Sequence, residues 1–165
     1  MSKQLKTHEN VGESYLAGAK GQPSARHTFP FPASVVWNAL LDGPTWCEWL
    51  PITNVTWTSP EPFSVGTTRT VEIGNEKVEE YFFAWEDGRR MAFSFVKSTL
   101  PIKAGVEDYK LVDTENGCEL LWSGRFSAFF PLGWMINKQM ASSLQKGMPK
   151  LEAHIQSNIE KYTTA

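Results

Sequence analysis

The order of elements signalled by residues 24–51 restricts the fold more than any other feature of this chain. Residues 24–31 are predicted to form a strand, and residues 33–41 carry apolar side chains at the spacing of one helix face. The Gly43-Pro44 pair ends this helix, because proline disfavours helical geometry at the residue before it. A second short helix with two tryptophans follows over 45–50. A strand followed at once by two short helices is an unusual order, and it narrows the choice of fold.

Six further strands are predicted after these helices. Their segments are 52–58, 67–73, 77–85, 90–97, 103–112 and 118–127. The short links are rich in Gly, Asn and Asp, which is typical of tight turns, so neighbouring strands are expected to run antiparallel. Segment 77–85 is apolar on both of its alternating faces, which indicates either a β-bulge or a contact with another molecule.

The last segment is predicted to form one long helix over residues 132–162, where apolar residues keep helical spacing throughout. Pro149 removes one backbone hydrogen bond of this helix, so we expect a kink there. Together with Gly147, the kink is expected to bend the helix away from the sheet and to widen the space between them.

These elements predict an α+β fold. An antiparallel sheet of about seven strands curves around the long C-terminal helix, and the two short helices lie between strands one and two. Because protein interiors are closely packed, the gap between a curved sheet and one helix must hold bulky side chains or a ligand. Seven Trp and ten Phe are enough to fill or to line such a cavity. We expect one domain over residues 25–165, preceded by an N-terminal extension over residues 1–24.

Charge and cysteine content argue against several classes of protein. The net charge of −2 is dispersed without a basic run, which argues against a nucleic-acid partner. No apolar run approaches the roughly 20 residues of a membrane helix, so stable membrane insertion is not expected. Cys47 and Cys118 lack metal-binding or redox spacing, and with the polar N-terminus they favour a reduced, cytoplasmic protein. The sequence contains no metal-site or cofactor motif and leaves the oligomeric state open.

Four polar residues on otherwise apolar strands are candidates for acid–base chemistry: Arg69, Glu80, Glu107 and Tyr109. Arg69 and Glu80 lie on adjacent predicted strands and can form a cross-strand pair on either face of the sheet. A solvated pair on the convex face is the favoured interpretation, because such pairs are ordinary stabilisers of sheets. On the concave face, burial would raise the pKa of Glu80 toward a value useful for acid–base catalysis.

The chain resembles the START-like (SRPBCC, Bet v 1-like) superfamily, in its polyketide cyclase/dehydrase branch, over about residues 25–160. The matching pieces are Pro32–Trp37, Leu41-Asp42, Trp46–Pro51, Val65–Arg69, Glu80, Trp85, Gly117–Trp122, Arg125-Phe126 and Leu151. Each piece alone is loose, and the resemblance depends on their order and spacing. It implies a helix-grip fold with a deep cavity.

The resemblance also implies binding of an apolar or amphipathic small molecule, such as a lipid, polyketide or quinone, between the sheet and the C-terminal helix. The residues expected to line this site are Trp57, Phe82, Phe93, Phe95, Tyr109, Trp122, Phe126, Trp134, Met140 and Leu144. Two alternatives stay open. One is a polyketide cyclase or dehydratase that uses the four polar residues, and the other is a protein-interaction module. Whether the chain is an enzyme is not decided by its sequence.

Two apolar loops are predicted to lie near the cavity. Phe129–Met135 links the last strand to the long helix and is strongly apolar. One interpretation is a cavity gate or a lip that touches a membrane, and the favoured one is an anchor that seats the start of the helix. Leu100-Pro101-Ile102 is a candidate for a second lip at the same cavity.

Overall fold

The strands of the sheet lie close to where the sequence predicts them. The structure, a computed structural model, describes residues 3–164. Its strands are β1 (Lys6–Thr7), β2 (Ser24–Phe29), β3 (Asn54–Trp57), β4 (Thr68–Ile73), β5 (Glu76–Glu86), β6 (Arg90–Ser98), β7 (Ala104–Thr114) and β8 (Gly117–Ser127). Across the curved antiparallel sheet the order is β2-β8-β7-β6-β5-β4-β3, and β1 pairs with β6. The predicted α+β helix-grip architecture is confirmed.

The helices also follow the predicted order, with one interruption. They are α1 (Glu13–Leu16), α2 (Ala33–Leu41), α3 (Trp46–Trp49), α4 (Leu132–Ser157) and α5 (Ile159–Thr163). The predicted long helix ends early, because Asn158 leaves helical geometry (φ −129°, ψ 28°) and separates α4 from α5. Within residues 3–164, no helix is both long enough and apolar enough to span a membrane.

Hydrogen bonds and one glycine fix α4 against its neighbours. The side chain of Asn137 donates to the carbonyl oxygen of Phe126 (2.8 Å) and accepts from its N–H (3.0 Å). Gln145 pairs in the same way with the backbone of the edge strand β2. A Cβ atom on Gly147 would lie 2.3 Å from the carbonyl oxygen of Trp49. This glycine therefore permits close packing of α4 on α3, and the bend expected at Pro149 stays a prediction.

The N-terminal segment packs on the sheet. Besides β1, which the sequence did not predict, it contributes α1 and a following turn. Leu16 and Ala19 form a small apolar cluster with Val106 of β7, and Phe83 of β5 packs against it. This cluster is separate from the main core, so it accounts for part of the second apolar face of β5.

A bulge accounts for the other apolar residues of β5. The pairing register with β6 shifts between Phe82 and Ala84. Trp85 packs on Phe82, with ring centroids 5.3 Å apart. The predicted bulge is confirmed, and among the described residues of β5 only Tyr81 is an exposed large hydrophobic side chain. The exposed apolar surface of the molecule lies elsewhere.

Candidate functional site

A buried ion pair between Arg69 and Glu80 forms the polar centre of the site. The two residues are register partners on β4 and β5. Nε and Nη2 of Arg69 lie 2.7 Å and 2.6 Å from the same atom, Oε2 of Glu80. The two side chains are only 1% and 4% exposed. The solvated, convex-face interpretation is therefore wrong, because strand alternation places Arg69 on the same face as the buried Val71.

Aromatic rings surround the guanidinium of Arg69. Its Cζ atom lies 4.4 Å from the ring centroid of Trp46, 5.0 Å from Phe93, 5.1 Å from Trp57 and 5.3 Å from Phe82. The ring faces attract the cation, and this attraction is stronger where water is excluded. The rings replace water but leave Nη1 of Arg69 buried without a hydrogen-bond partner among the described residues. Since an unpaired buried donor costs free energy, Nη1 is a place where a ligand acceptor would be stabilised.

Glu107 provides a second buried carboxyl group beside this pair. Its Oε2 accepts hydrogen bonds from the hydroxyl of Tyr109 (2.7 Å) and from Nε1 of Trp122 (2.8 Å). Glu107 and Tyr109 are two residues apart on β7, so they project from the same face of the sheet. Burial raises the pKa of Tyr109 well above its ordinary value, which keeps its hydroxyl protonated as the donor.

The two carboxyl groups face one buried cation, and their pKa values reflect this. Burial raises the pKa of Glu80 to about 7, the charge of Arg69 opposes the rise, and the charge of Glu107 adds to it. Burial likewise raises the pKa of Glu107, although hydrogen bonds from Tyr109 and Trp122 oppose the rise. One arginine cannot compensate two buried carboxylates. We therefore expect the pair of carboxyl groups to hold one proton near neutral pH.

A small cavity lies over these groups and continues into an apolar vestibule. The inner cavity has a volume of about 90 Å³, and Arg69, Glu80, Glu107 and Tyr109 are in its wall. The vestibule has a volume of about 270 Å³ and lies between the β6–β7 loop and the first half of α4. Met140 and Ser143 line both spaces, so the vestibule adjoins the inner cavity.

The structure brings all four predicted acid–base residues together in the cavity wall. Six of the residues predicted to bind ligand line the cavity or the vestibule: Phe93, Phe95, Tyr109, Phe126, Met140 and Leu144. Trp57, Phe82 and Trp122 support the polar groups from behind, and Trp134 is exposed on α4. The roles of these residues stay predictions.

Sequence reasoning missed several wall residues. Trp46, Leu50 and Ile52 come from the α3 region, and Ser143 comes from α4. The inward spacing of Trp46 and Leu50 in the second short helix was the available signal for two of them. Across residues 3–164, there is no cluster of three His, Cys, Asp or Glu side chains that could hold a metal ion.

Comparison with known proteins identifies the family. The family model described as polyketide cyclase / dehydrase and lipid transport matches residues 22–156. The chain belongs to this family. It is 45% identical over 91 residues to two uncharacterized proteins, Rv2574 of Mycobacterium tuberculosis and Mb2604 of Mycobacterium bovis. These matches cover 53% of the chain and 54% of each relative, so the chain spans about half the length of the curated relatives it matches.

Solved structures share the fold at low sequence identity. Ara h 8.0201 is similar with a TM-score of 0.66 and 16% identity, over 81% of this chain and 96% of that one. A START superfamily protein from Mycobacterium smegmatis has a TM-score of 0.65 and 12% identity, over the same shares, 81% and 96%. The predicted membership of the START-like superfamily is confirmed. Family and fold together indicate a START-like ligand-binding domain.

Replacing Glu107 by Gln is expected to flatten the pH dependence of stability. The pKa of Glu80 is raised from 4.5 to about 7 in the folded protein. The folded state therefore holds this proton more tightly than the unfolded state, and the free energy of unfolding falls as pH rises through this interval. Glu107→Gln removes a charge that raises the pKa of Glu80, and its amide oxygen still accepts from Tyr109 and Trp122.

Urea denaturation at about pH 5 and about pH 8 measures this effect. The loss of stability between these pH values should be smaller in Glu107→Gln than in the wild type by at least about 1 kcal/mol. Glu115→Gln, in an exposed turn, is the control and should keep the wild-type difference. An unchanged difference in Glu107→Gln would mean that the two buried carboxyl groups do not interact.

Proposed function

We propose that the chain binds an amphipathic small molecule of the lipid, polyketide or quinone type between the sheet and α4. One observation carries this proposal: a buried arginine with an unpartnered Nη1 lies in the wall of a cavity whose other side chains are mostly apolar. A carbonyl or carboxylate oxygen of the ligand would accept a hydrogen bond from Nη1. The apolar body of the ligand would then lie toward the vestibule.

The dimensions support this orientation. The inner cavity, at about 90 Å³, is well below the roughly 300 Å³ at which small-molecule pockets begin. It has room for the polar end of a ligand and not for the whole molecule. The vestibule, at about 270 Å³, is lined mostly by apolar side chains, including Leu100, Phe126 and Ile136. Both spaces therefore favour a ligand whose polar end lies in the inner cavity and whose apolar end lies in the vestibule.

A pair of probes of equal length tests the proposal. 2-Dodecanone has a carbonyl oxygen that Nη1 can bind, whereas dodecane has none. We expect the ketone to bind at least about tenfold more tightly, a difference of about 1.4 kcal/mol. Ile136→Trp, which fills the vestibule, should weaken ketone binding at least about tenfold, and Val112→Trp, at an exposed site on β7, should not. Equal affinity for the two probes, or equal loss in both variants, would contradict the proposal.

An enzymatic role is a second candidate, and the pKa of Glu80, raised to about 7, favours it. A ligand carbonyl bound at Nη1 would be polarised, and a carboxylate beside it is suited to remove a proton from the adjacent carbon. In a dehydration, the β-hydroxyl group then leaves as water after taking a proton from the carboxyl group that holds one. Absorbance of the enone formed from an aryl 3-hydroxyketone measures this reaction. Binding of the ketone without any enone would restrict the protein to a carrier role.

A further inference from the structure

Four exposed apolar side chains lie within seven residues of one another at the start of α4. Phe129 is 74% exposed, Phe130 92%, Trp134 64% and Met135 52%. We call these four residues the apolar lip. The favoured expectation that this loop anchors the start of α4 is wrong for them, because anchoring side chains would be buried. Elsewhere in residues 3–164, the exposed large hydrophobic residues are Val65, Tyr81 and Val112.

Lysine side chains lie over the rings of the lip. Nζ of Lys103 is 4.2 Å from the ring centroid of Phe129, and Nζ of Lys138 is 5.2 Å from that of Trp134. The sequence has no acidic residue between Glu119 and Glu152. The lip is therefore an apolar surface with two lysine ammonium groups directly over its rings.

The lip residues are close in sequence to residues that line the vestibule. Leu132 and Ile136, in the same turns of α4 as Trp134 and Met135, line the vestibule. On the opposite side, Pro101 and Ile102 line it just before Lys103. The lip and the vestibule therefore share the start of α4 and the β6–β7 loop, and Trp134 projects from the side of α4 opposite Leu132 and Ile136.

We propose that the apolar lip docks the protein on the surface of a lipid bilayer that contains anionic lipid. Aromatic rings beside lysines are characteristic of side chains at the bilayer interface, where the rings enter the headgroup region and the ammonium groups reach lipid phosphates. The cores of protein–protein interfaces are instead depleted in lysine. Docking is shallow and reversible, and it brings the vestibule close to the bilayer from which an amphipathic ligand would come.

Flotation with vesicles tests the docking surface directly. The full chain should bind vesicles of phosphatidylcholine with about one-third phosphatidylglycerol, and binding should weaken from about 0.1 M to about 0.5 M salt. Phe129→Ser/Phe130→Ser/Trp134→Ser should reduce the partition coefficient at least about tenfold, because the rings supply the buried apolar area. Lys103→Gln/Lys138→Gln should reduce it about fivefold for each lysine removed. Val65→Ser/Val112→Ser, which removes exposed apolar side chains elsewhere, is the matched control and should bind as the wild type does.

Fluorescence locates the contact on the lip. The emission difference between wild type and Trp134→Phe isolates Trp134 from the other six tryptophans, and this difference should shift to shorter wavelength on vesicle addition. Docking does not depend on an occupied cavity, so Ile136→Trp should still bind vesicles even if it no longer binds ketone. No binding to anionic vesicles, or equal binding by the serine variant, would overturn the proposal. A wild-type dimer that the serine variant converts to monomer would also overturn it, since the lip would then join two copies of the chain.

Discussion

Replacing Arg69 by Met is expected to destabilise the protein by about 3–5 kcal/mol near neutral pH, because it leaves the carboxylate of Glu80 buried without its partner. Both short contacts to Oε2 of Glu80 come from Arg69: a hydrogen bond from Nε at 2.7 Å and an ion-pair contact with Nη2 at 2.6 Å. Without them, Glu80 must be protonated in the folded state. The loss should therefore be larger at about pH 8 than at about pH 5, where protonation is nearly free.

Urea denaturation of three variants separates the contribution of the Arg69–Glu80 ion pair to stability from the contribution of the packing around it. Arg89→Met is the matched control, since Arg89 forms its ion pair with Asp113 at 2.7 Å with both side chains exposed, and it should leave the stability close to that of the wild type. Arg69→Met/Glu80→Leu removes both charges and should recover most of the stability lost in Arg69→Met. If Arg69→Met lowered the free energy of unfolding no more than Arg89→Met does, the ion pair between Arg69 and Glu80 would not be buried.

The local sequence pattern was sufficient to predict the architecture. It was not sufficient to predict on which face of the sheet the polar residues lie. Turn residues and alternating apolar positions define β4 to β8, and one helical repeat defines most of α4. The face of the sheet on which Arg69 lies depends on more than β4, because the pairing pattern alone allows a cross-strand pair on either side. The rings that make its burial tolerable come from α3, β3, β5 and β6, which are far apart in sequence. No short segment contains that information.

The apolar loop Phe129–Met135 also could not be placed from the sequence alone. Here it was the exposure of side chains, and not their burial, that the sequence failed to predict. A run of aromatic residues next to a helix start usually packs inward, so anchoring was the reasonable expectation for Phe129–Met135. In the fold, the start of α4 is already fixed by Asn137, which holds the backbone of Phe126 on β8. With the helix seated by this amide, the rings are not needed for anchoring. Their exposure became visible only once the tertiary hydrogen bonds were known.

Replacing Trp46 by Ala is the second change for which we expect a large effect, a loss of about 3–5 kcal/mol. The indole of Trp46 is 1% exposed and packs 4.4 Å from the guanidinium of Arg69. Its Nε1 also donates to the carbonyl oxygen of Leu40 at 2.8 Å. Truncation removes this packing, leaves the carbonyl oxygen without its donor, and joins the space of the indole to the inner cavity. Trp134→Ala, at an exposed site, should cost less than about 0.5 kcal/mol.

The enlarged cavity of Trp46→Ala can be tested directly by ligand binding. A variant that had only lost packing in general would not be stabilised by such a ligand. Free indole has the shape of the missing side chain and an N–H that can donate to the carbonyl oxygen of Leu40. An apolar cavity of this kind binds such a molecule, and binding to the folded state alone raises stability with ligand concentration. We expect indole at about ten times its dissociation constant to restore about 1.4 kcal/mol to Trp46→Ala and nothing to Trp134→Ala. Equal responses of the two variants would mean that the indole of Trp46 does not form the wall between α3 and the polar centre.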